Sequence, residues 1–306
     1  MLTVTEARRR YGSVQALDGC SLAVAPREWV GLLGPNGAGK TSLIRAISGR
    51  VRLDAGRIEL FGTEIGVDRR RDLEVHHRMG VVPQEIALYP TLTAQENLEV
   101  FASLLGLAGT TRRDRVSWAL AFTGLQDRAR HLVRTFSGGM KRRLNIACGV
   151  LHKPELVLLD EPTVGVDPQS RQRIWEMLAE LQADGTALLL TTHQLDEAQQ
   201  LCERIVIIDH GRTIASGTLR ELLTATVGRH HEVTIRLDAP PSDGLAPGDW
   251  RVERTTMVGH VENVGVDLPA MLARIQAAGR SVEDVHLASP TLHSVFIALT
   301  GRELRE

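Results

Sequence analysis

Short, continuous runs of apolar residues recur along the chain between residues 29 and 208, separated by more polar segments. The runs are rich in Val, Ile and Leu and do not alternate with polar residues. Such runs are typical of strands that are buried on both faces of a largely parallel sheet. The runs that predict strands are residues 29–33, 79–82, 156–159, 187–190 and 205–208.

Helical periodicity fills several intervals between these strands. The clearest helix face has apolar residues at i, i+3, i+4 and i+7, namely Ile174, Met177, Leu178 and Leu181. Strands that alternate with helices predict an α/β fold around a parallel sheet. The stretch that begins at residue 91 differs, because it carries helical patterns at 94–105 and 114–122 and no strand pattern. We interpret it as a helical subdomain that extends to about residue 150.

The composition changes after the last of these strands. A strand pattern at 214–217 and a short helix pattern close a first domain, which we place at 1–224. A linker at 225–231 and a small α+β domain at 232–306 follow, with a Pro- and Gly-rich loop inside that domain. The small domain is predicted to contain strands at 232–237, 250–256 and 282–287, and helices around Leu268, Leu272 and Ile275 and at 295–299.

Composition and charge exclude several classes of protein. Apolar residues make up 43% and charged residues 24% of the 306 residues, which excludes disorder of the whole chain. A net charge of −1 lacks the strongly basic balance of a dedicated nucleic-acid binder. Cys20, Cys148 and Cys202 have no spacing that suits zinc or a disulfide framework, so a reducing compartment is expected.

No segment predicts a secretory signal or a membrane span. The N-terminal sequence MLTVTEARRR lacks the apolar core of a signal peptide. No apolar run approaches the ~20 residues that a spanning helix needs. We therefore expect that the chain does not cross a membrane by itself.

Residues 34–41, with the sequence GPNGAGKT, match the pattern G-x-x-x-x-G-K-[ST]. A strand pattern precedes them and a helix pattern follows, which is the context that a phosphate-binding loop requires. Backbone N–H groups of such a loop bind phosphates at the helix N-terminus, Lys40 neutralises the β- and γ-phosphates, and Thr41 binds magnesium. The predicted nucleotide-binding residues here are Gly34, Pro35, Asn36, Gly37, Ala38, Gly39, Lys40, Thr41 and Ser42.

A pair of carboxylates, Asp160 and Glu161, follows the buried strand at 156–159. A strand buried on both faces presents acids only at its end, where ligands bind in open α/β sheets. Asp160 suits the coordination shell of magnesium, and Glu161 suits a general base that polarises the attacking water. A magnesium ion is a physical reason for two adjacent carboxylates to be tolerated.

Beside these motifs, four further features are candidates for nucleotide binding or catalysis. The Ser-Gly-Gly turn at 137–139 opens a basic helix and is either a simple N-cap or a second anion site. His193 and Gln84 each follow a predicted strand, at the sheet edge where ligands bind. Tyr11 either stacks on a purine ring or packs at the edge of a strand.

These motifs stand in the order found in the ATPases of the ATP-binding cassette (ABC) family, which the chain resembles from residue 1 to about 224. The phosphate-binding loop resembles the Walker A motif, and residues 156–161 resemble Walker B. The SGGM turn at 137–140 resembles the signature that separates this family from other P-loop ATPases. Residues 164–168 resemble the D-loop, and His193 resembles the switch histidine.

The resemblance implies roles for individual residues. Glu161, His193 and Gln84 are expected to be catalytic. Magnesium is expected at Thr41, Gln84 and Asp160, and ATP is the expected nucleotide. The nucleotide-binding residues that the resemblance adds to the loop are Tyr11, as the adenine-stacking residue, and Ser137, Gly138, Gly139 and Asp167.

The resemblance also implies partners and location. Two copies of the chain are expected to face head to tail, so that the Walker loops of one and Ser137 of the other enclose each ATP. The homodimer is expected to drive membrane-spanning permease subunits on separate chains, from the cytoplasmic face of the cell membrane. The C-terminal segment 289–301, SPTLHSVFIALTG, resembles ATPases of drug-resistance and nodulation-type exporters.

Three positions depart from the commoner family residues: Phe136 replaces Leu, Met140 replaces Gln, and Val166 replaces Leu. All three are apolar or neutral, so hydrolysis is still expected. One alternative is a soluble ABC ATPase that acts on ribosomes or DNA. A single cassette, without sustained heptads or a basic tail, disfavours it. Another is a cassette that binds ATP without hydrolysing it, which the presence of Glu161 and His193 disfavours.

A surface for the membrane partner is expected at residues 85–93, directly after Gln84. Ile86, Leu88, Tyr89 and Leu92 are apolar residues in a loop-like segment, where exposure is costly unless a partner covers them. The alternative is that they pack on the helix at 94–105. As in the ABC family, the segment is expected to accept a cytoplasmic helix of the permease.

Overall fold

The computed structural model describes residues 1–228, 231–242, 244–248 and 250–301. They form two compact units, Met1–Thr218 and a second unit that begins at Leu219. The helix Leu219–Ala225 therefore belongs to the second unit, where it packs against the helix Leu292–Thr300. The division thus falls earlier than the boundary at residue 224 that the sequence suggested. Of the predicted linker, Arg229 and His230 lie outside the described residues.

The first unit contains ten strands and seven α-helices in the order of the chain. Its strands are β1 (Leu2–Tyr11), β2 (Val14–Val24), β3 (Trp29–Leu33), β4 (Ala55–Leu60), β5 (Thr63–Glu64), β6 (Met79–Val82), β7 (Leu156–Asp160), β8 (Ala187–Thr192), β9 (Arg204–Asp209) and β10 (Arg212–Gly217). Its helices are α1 (Lys40–Ile47), α2 (Arg69–His76), α3 (Ala94–Leu104), α4 (Gly109–Thr123), α5 (Gly138–Val150), α6 (Pro168–Ala183) and α7 (Leu195–Leu201).

The predicted parallel sheet is the centre of the first unit. Its strand order is β10-β9-β3-β8-β7-β6, and only the edge pair β10–β9 is antiparallel. Every residue of β3, β7 and β8 is buried, which confirms the α/β prediction from unbroken apolar runs. Leu33 pairs with Thr192, and Asp160 pairs with Thr191, so the carboxyl ends of β3, β7 and β8 meet at one edge.

An antiparallel sheet of order β2-β1-β4-β5 covers the N-terminal part of the first unit, and the sequence analysis did not predict it. Strand β1 alternates buried and exposed residues, but its pairing with β2 has register shifts, one of them between Val4 and Ala7. Such bulges interrupt the period of two by which a half-buried strand is recognised. The arginines at its end further hide the apolar face in the sequence.

The predicted helical subdomain is present between β6 and β7. Helices α3, α4 and α5 pack against one another around Leu98, Ala119 and Leu144, all of which are fully buried. Within 91–150 the only extended pairing is a single bridge between Thr93 and Leu132. None of the helices among the described residues is long and apolar enough to span a membrane.

The second unit is a small α+β fold. It contains helices α8 (Leu219–Ala225), α9 (Val264–Ala277) and α10 (Leu292–Thr300), and strands β11 (His231–Leu237), β12 (Arg251–Glu253), β13 (Thr256–Val261) and β14 (Val282–Ala288). The strands form an antiparallel sheet of order β12-β13-β11-β14. Val233, Ile235, Met257 and Ile275 share its buried core.

One predicted strand of the second unit is wrong. The expected strand at 250–256 is instead the short strand β12 followed by a turn into β13. The turn is tight because Arg254 adopts a left-handed backbone conformation with a φ of 54°. A glycine or an asparagine at this position would have indicated a left-handed turn in the sequence, whereas an arginine does not.

Candidate active site

The loop between β3 and α1 is shaped by glycines at close backbone approaches. Gly39 has a φ of 106° and lies against the backbone carbonyl of Ala16, where a side chain would collide. Gly34 lies equally close to the carbonyl of Ile208. The loop is therefore held against β2 and β9 before the chain enters α1 at Lys40.

Lys40 is buried, with 5% of its surface exposed, and its ammonium faces both backbone and carboxylate oxygens. Lys40 Nζ donates to the carbonyl oxygens of Gly34 at 2.7 Å and Pro35 at 3.1 Å. It also lies 3.5 Å from Glu161 Oε1. Burial lowers the pKa of Lys40, whereas the charges of Glu161 and Asp160 act in the opposite direction.

Asp160 ends β7 and is hydrogen-bonded through one oxygen. Thr191 Oγ1 donates to Asp160 Oδ1 at 2.6 Å, and Thr41 Oγ1 lies 3.4 Å from the same oxygen. The structure thus brings the two predicted magnesium ligands from Walker A and Walker B together. Among the described residues, no group of three or more His, Cys, Asp or Glu side chains could share a metal ion. One carboxylate and one hydroxyl nevertheless suit Mg²⁺, which takes hard oxygen ligands and fills its shell with water and phosphate oxygens.

Glu161 is the centre of the site, and its backbone is strained. Its φ of 48° is unusual for a residue with a side chain and costs about 1–3 kcal/mol, which the surrounding contacts must offset. Its N–H donates at 3.1 Å to both the carbonyl oxygen and the hydroxyl of Thr191. Its carboxylate accepts from Gln84 Nε2 at 3.0 Å and lies 3.1 Å from His193 Nδ1. The three predicted catalytic residues are therefore in direct contact.

Two contributors to the site were not identified in the sequence. Thr191 binds both carboxylate residues, and Arg142 on α5 donates from Nη1 to the carbonyl oxygen of Gln84 at 2.6 Å. Burial lowers the pKa of Arg142, and the charge of Glu161 opposes that effect. Arg142 lies within the basic run 141–143, and nothing in that run distinguishes the inward-facing arginine from its neighbours.

The structure does not bring the remaining predicted residues to this cluster. Ser137 caps α5, with its hydroxyl accepting from Met140 N at 3.2 Å, and Asp167 caps α6 through Ser170 N at 2.9 Å. Tyr11 is exposed at the end of β1, where the Arg9 guanidinium lies 5.0 Å from its ring centroid. Within the described part of the chain, no hydrogen bond or ion pair links Ser137, Asp167 or Tyr11 to the Glu161 cluster.

The segment after Gln84 is fixed by two asparagines. Asn145 Oδ1 accepts from Ala87 N at 3.1 Å, and Asn97 binds both backbone groups of Tyr89, at 2.8 and 3.0 Å. Leu88 packs against the helical core, as the alternative interpretation expected. Ile86 and Tyr89 are exposed, at 38% and 47% of their surface. The apolar set at 85–93 is therefore divided between the core and the surface.

Comparison with known proteins identifies the family. A family model described as ABC transporter matches residues 17–164. A linearmycin resistance ATP-binding protein of Bacillus subtilis is 39% identical over 100% of both chains. A daunorubicin resistance ATP-binding protein of Streptomyces coeruleorubidus is 40% identical over 99% of this chain and 97% of its own. A Nod factor export ATP-binding protein of Ralstonia nicotianae is 38% identical over 100% of this chain and 95% of its own.

Solved structures agree with the sequence relatives. An ATP-binding subunit of an ABC transporter aligns with a TM-score of 0.66 and 31% identity, over 74% of this chain and 92% of its own. A dimeric ATP-binding cassette in a post-hydrolysis state, bound to ADP and Pi, aligns with a TM-score of 0.64 and 25% identity, over 71% and 98%. The chain belongs to the ABC transporter family, as one of its ATP-binding, ATP-hydrolysing subunits.

Proposed function

We propose that this chain supplies the energy for an ABC exporter by hydrolysing ATP at the Glu161 cluster. The observation that carries the proposal is the environment of Glu161. Glu161 has a strained backbone and lies buried at a strand end. Its carboxylate contacts Gln84, Lys40 and His193. Such a group is placed to take a proton from the water that attacks the terminal phosphate of ATP.

The phosphates bind at the loop 34–41, where Lys40 is the charged group. Lys40 Nζ lies at the loop, where it contacts two loop carbonyls and Glu161. When ATP binds at the loop, the ammonium gains an anionic phosphate partner. As water forms its bond to the terminal phosphorus, the bond to ADP breaks and the water proton passes to a Glu161 oxygen. His193, 3.1 Å from Glu161 Oε1, holds that carboxylate in place.

Thr41 and Asp160 would hold Mg²⁺, since their oxygens converge at 3.4 Å, and Gln84 completes the set of expected ligands. When bound, the ion neutralises charge on the phosphate oxygens. Thr191 keeps Asp160 oriented by donating to the oxygen that Thr41 also approaches.

The complete catalytic unit is a head-to-tail pair of these chains. Ser137 and Gly138 are exposed at the N-terminus of α5, where backbone N–H groups favour an anion. In the pair, this turn and Asp167 serve the ATP of the other copy, and Tyr11 stacks on the adenine. The dimeric, nucleotide-bound state of a structural relative supports this arrangement.

The transported cargo crosses the membrane through permease subunits on other chains, and this chain acts at their cytoplasmic side. The relatives named for antibiotic resistance and for Nod factor export support outward transport. The docking surface we propose is the exposed part of 85–93, Ile86 and Tyr89, because Gln84 directly precedes it and contacts Glu161.

Affinity purification of the tagged chain from its native membranes tests this proposal. We expect a multi-span permease to co-purify with the wild type and to be lost from the double variant Ile86→Asp/Tyr89→Asp, while ATP binding is kept. Val67→Asp is the matched control, because Val67 is exposed but lies outside this segment. Recovery of the wild type with ribosomes and without a permease would overturn the proposal.

Recovery of the permease with the double variant would instead place the docking surface elsewhere. The second unit is then the next candidate. Val252→Asp tests it, since Val252 has an exposed fraction close to that of Tyr89, 46% against 47%.

A further inference from the structure

A buried carboxylate lies outside the Glu161 cluster, on the helix that follows His193. Glu197 on α7 is only 1% exposed. Its Oε1 atom accepts two hydrogen bonds, from Thr163 Oγ1 at 2.7 Å and from Trp175 Nε1 at 3.2 Å. One oxygen of Glu197 therefore joins three segments: the turn after Glu161, helix α6, and helix α7.

Packing alone does not account for a glutamate at this position. Its other oxygen, Oε2, is buried and has no hydrogen-bond partner in the described part of the chain. A buried polar atom without a partner destabilises the fold, and an apolar side chain of similar size would avoid that cost. The feature that only an acceptor provides is the pair of hydrogen bonds from Thr163 and Trp175.

The bond from Thr163 matters because Glu161 is strained. A residue with a φ of 48° keeps that conformation only where neighbouring groups hold the chain on both sides. On the N-terminal side, the Glu161 N–H is bound by Thr191. On the C-terminal side, the next side-chain hydrogen bond is the one from Thr163 to Glu197. Thr163 is fully buried, so water does not compete for its hydroxyl.

Both anchors of the strained residue belong to the segment that carries His193. Thr191 lies just before His193 on β8, and Glu197 lies just after it on α7. The same segment thus holds the Glu161 backbone from both sides and presents the imidazole, 3.1 Å from Glu161 Oε1. The separation of the base and the histidine is set by this arrangement.

We propose that Glu197 is a positioning residue for ATP hydrolysis, acting through the Thr163 hydroxyl on the backbone conformation of Glu161. The inference rests on the proposed role of Glu161 as the base. Among the described residues, the hydrogen bonds of Glu197 come from Thr163 and Trp175 and none comes from the phosphate loop, so we expect nucleotide affinity to be unchanged when the bond is lost. Turnover is affected, because small displacements of a catalytic group cost large factors in rate.

Three isosteric or conservative changes test this, measured as kcat and as nucleotide Kd on the full chain. Thr163→Val removes the hydroxyl and should lower kcat by about tenfold to a hundredfold with Kd unchanged. Thr163→Ser restores the hydroxyl and should restore kcat. Thr123→Val is the matched control, because Thr123 is also fully buried, while its hydroxyl donates to carbonyls of its own helix, at Ala119 and Leu120.

A second pair of variants keeps the test independent of Thr163. Glu197→Gln retains an acceptor oxygen and should lose less turnover than Glu197→Ala. The inference is overturned if Thr163→Val turns over ATP within about twofold of wild type, or if Thr163→Ser is as slow as Thr163→Val. When the Thr163 variants give such a result and Glu161→Gln is inactive in the same assay, the role of Glu197 is wrong but that of Glu161 stands. If Glu161→Gln remains active, the proposed base itself has failed.

Discussion

Two regions of this chain that are predicted to act on ATP differ in how many side chains surround them. At the end of β7, Asp160 and Glu161 are buried, and side chains from Gln84, Lys40, Thr191 and His193 surround them. At the start of α5, the Ser-Gly-Gly turn at 137–139 makes one side-chain hydrogen bond to described residues, its own N-cap. Beyond its own helix backbone and its chain neighbours, a side chain at Gly138 would meet no described atom within 4 Å.

The difference indicates which region acts within the chain and which acts on another molecule. Most buried carboxylates have hydrogen-bond partners within the protein, and Glu161 has such partners on both oxygens. An exposed helix N-terminus with a free glycine beside it leaves room for an external anion. We therefore interpret the β7 end as the hydrolytic half of a site, and the α5 turn as the half offered to the ATP of a second copy.

Removing the proposed base should give the largest loss of ATP turnover, and it tests the β7 end separately from the α5 turn. Glu161→Gln keeps the size of the side chain and one acceptor oxygen, but the amide cannot take a proton from water. ATP turnover should fall by about a hundredfold to ten-thousandfold while ATP still binds. The ATP-bound dimer should accumulate, which size-exclusion chromatography with ATP and magnesium would show. Near-wild-type turnover would remove Glu161 from the mechanism.

Blocking the α5 turn should lower turnover without weakening the binding of ATP to the same chain. Ser137→Arg fills the open turn and should reduce turnover by about a hundredfold or more, because the donors facing the other copy's phosphates are lost. ATP binding to the monomer should be unchanged by calorimetry. Weakened monomer binding would show that the turn serves its own chain.

Mixing two inactive variants sharpens the same comparison. In a mixed dimer of Ser137→Arg and Lys40→Ala, one site contains both defects and the other contains neither. Part of the turnover should therefore return on mixing. Ser137→Arg mixed with itself is the control, and no recovery in the mixed sample would contradict the head-to-tail arrangement.

Lys40→Ala should weaken nucleotide binding as well as turnover. The ammonium is buried and faces loop carbonyls and Glu161, so a phosphate that replaces those contacts gains a charge-assisted hydrogen bond. The loss of such a bond corresponds to about tenfold to a hundredfold in ATP affinity. Calorimetry checks this, and an unchanged Kd would exclude Lys40 from phosphate binding.

The smallest effect is expected at Tyr11, the predicted adenine contact. Tyr11→Ala should weaken ATP affinity by about fivefold, the lower end for stacking of a base on an aromatic ring. Tyr11→Phe keeps the ring and serves as the matched control. If the two variants bind ATP equally well, stacking by Tyr11 does not contribute.

Much of the hydrolytic region was predictable because its chemistry depends on local sequence. The glycines of 34–39 and Lys40 act through one loop and one helix end, and Asp160 and Glu161 through one strand end, so motif and flanking pattern identify them together. Gln84 and His193 were identified because each follows a predicted strand, at the sheet edge where ligands bind, and because the chain resembles the ABC ATPases. The irregular antiparallel pairing of β1 and the turn at Arg254 were missed, since bulges and a left-handed arginine interrupt the periodic signal.

The sequence by itself determined the fold class and the helical subdomain, and it predicted which residues bind and cleave ATP, because unbroken apolar strands and strand-end motifs are local properties. Only the tertiary structure decided which neighbours hold those residues in place. Thr191, Arg142 and the Thr163–Glu197 pair carry no motif of their own. Their roles arise from parallel register and burial, which bring together side chains that are far apart in the chain and exclude the water that would otherwise compete with them.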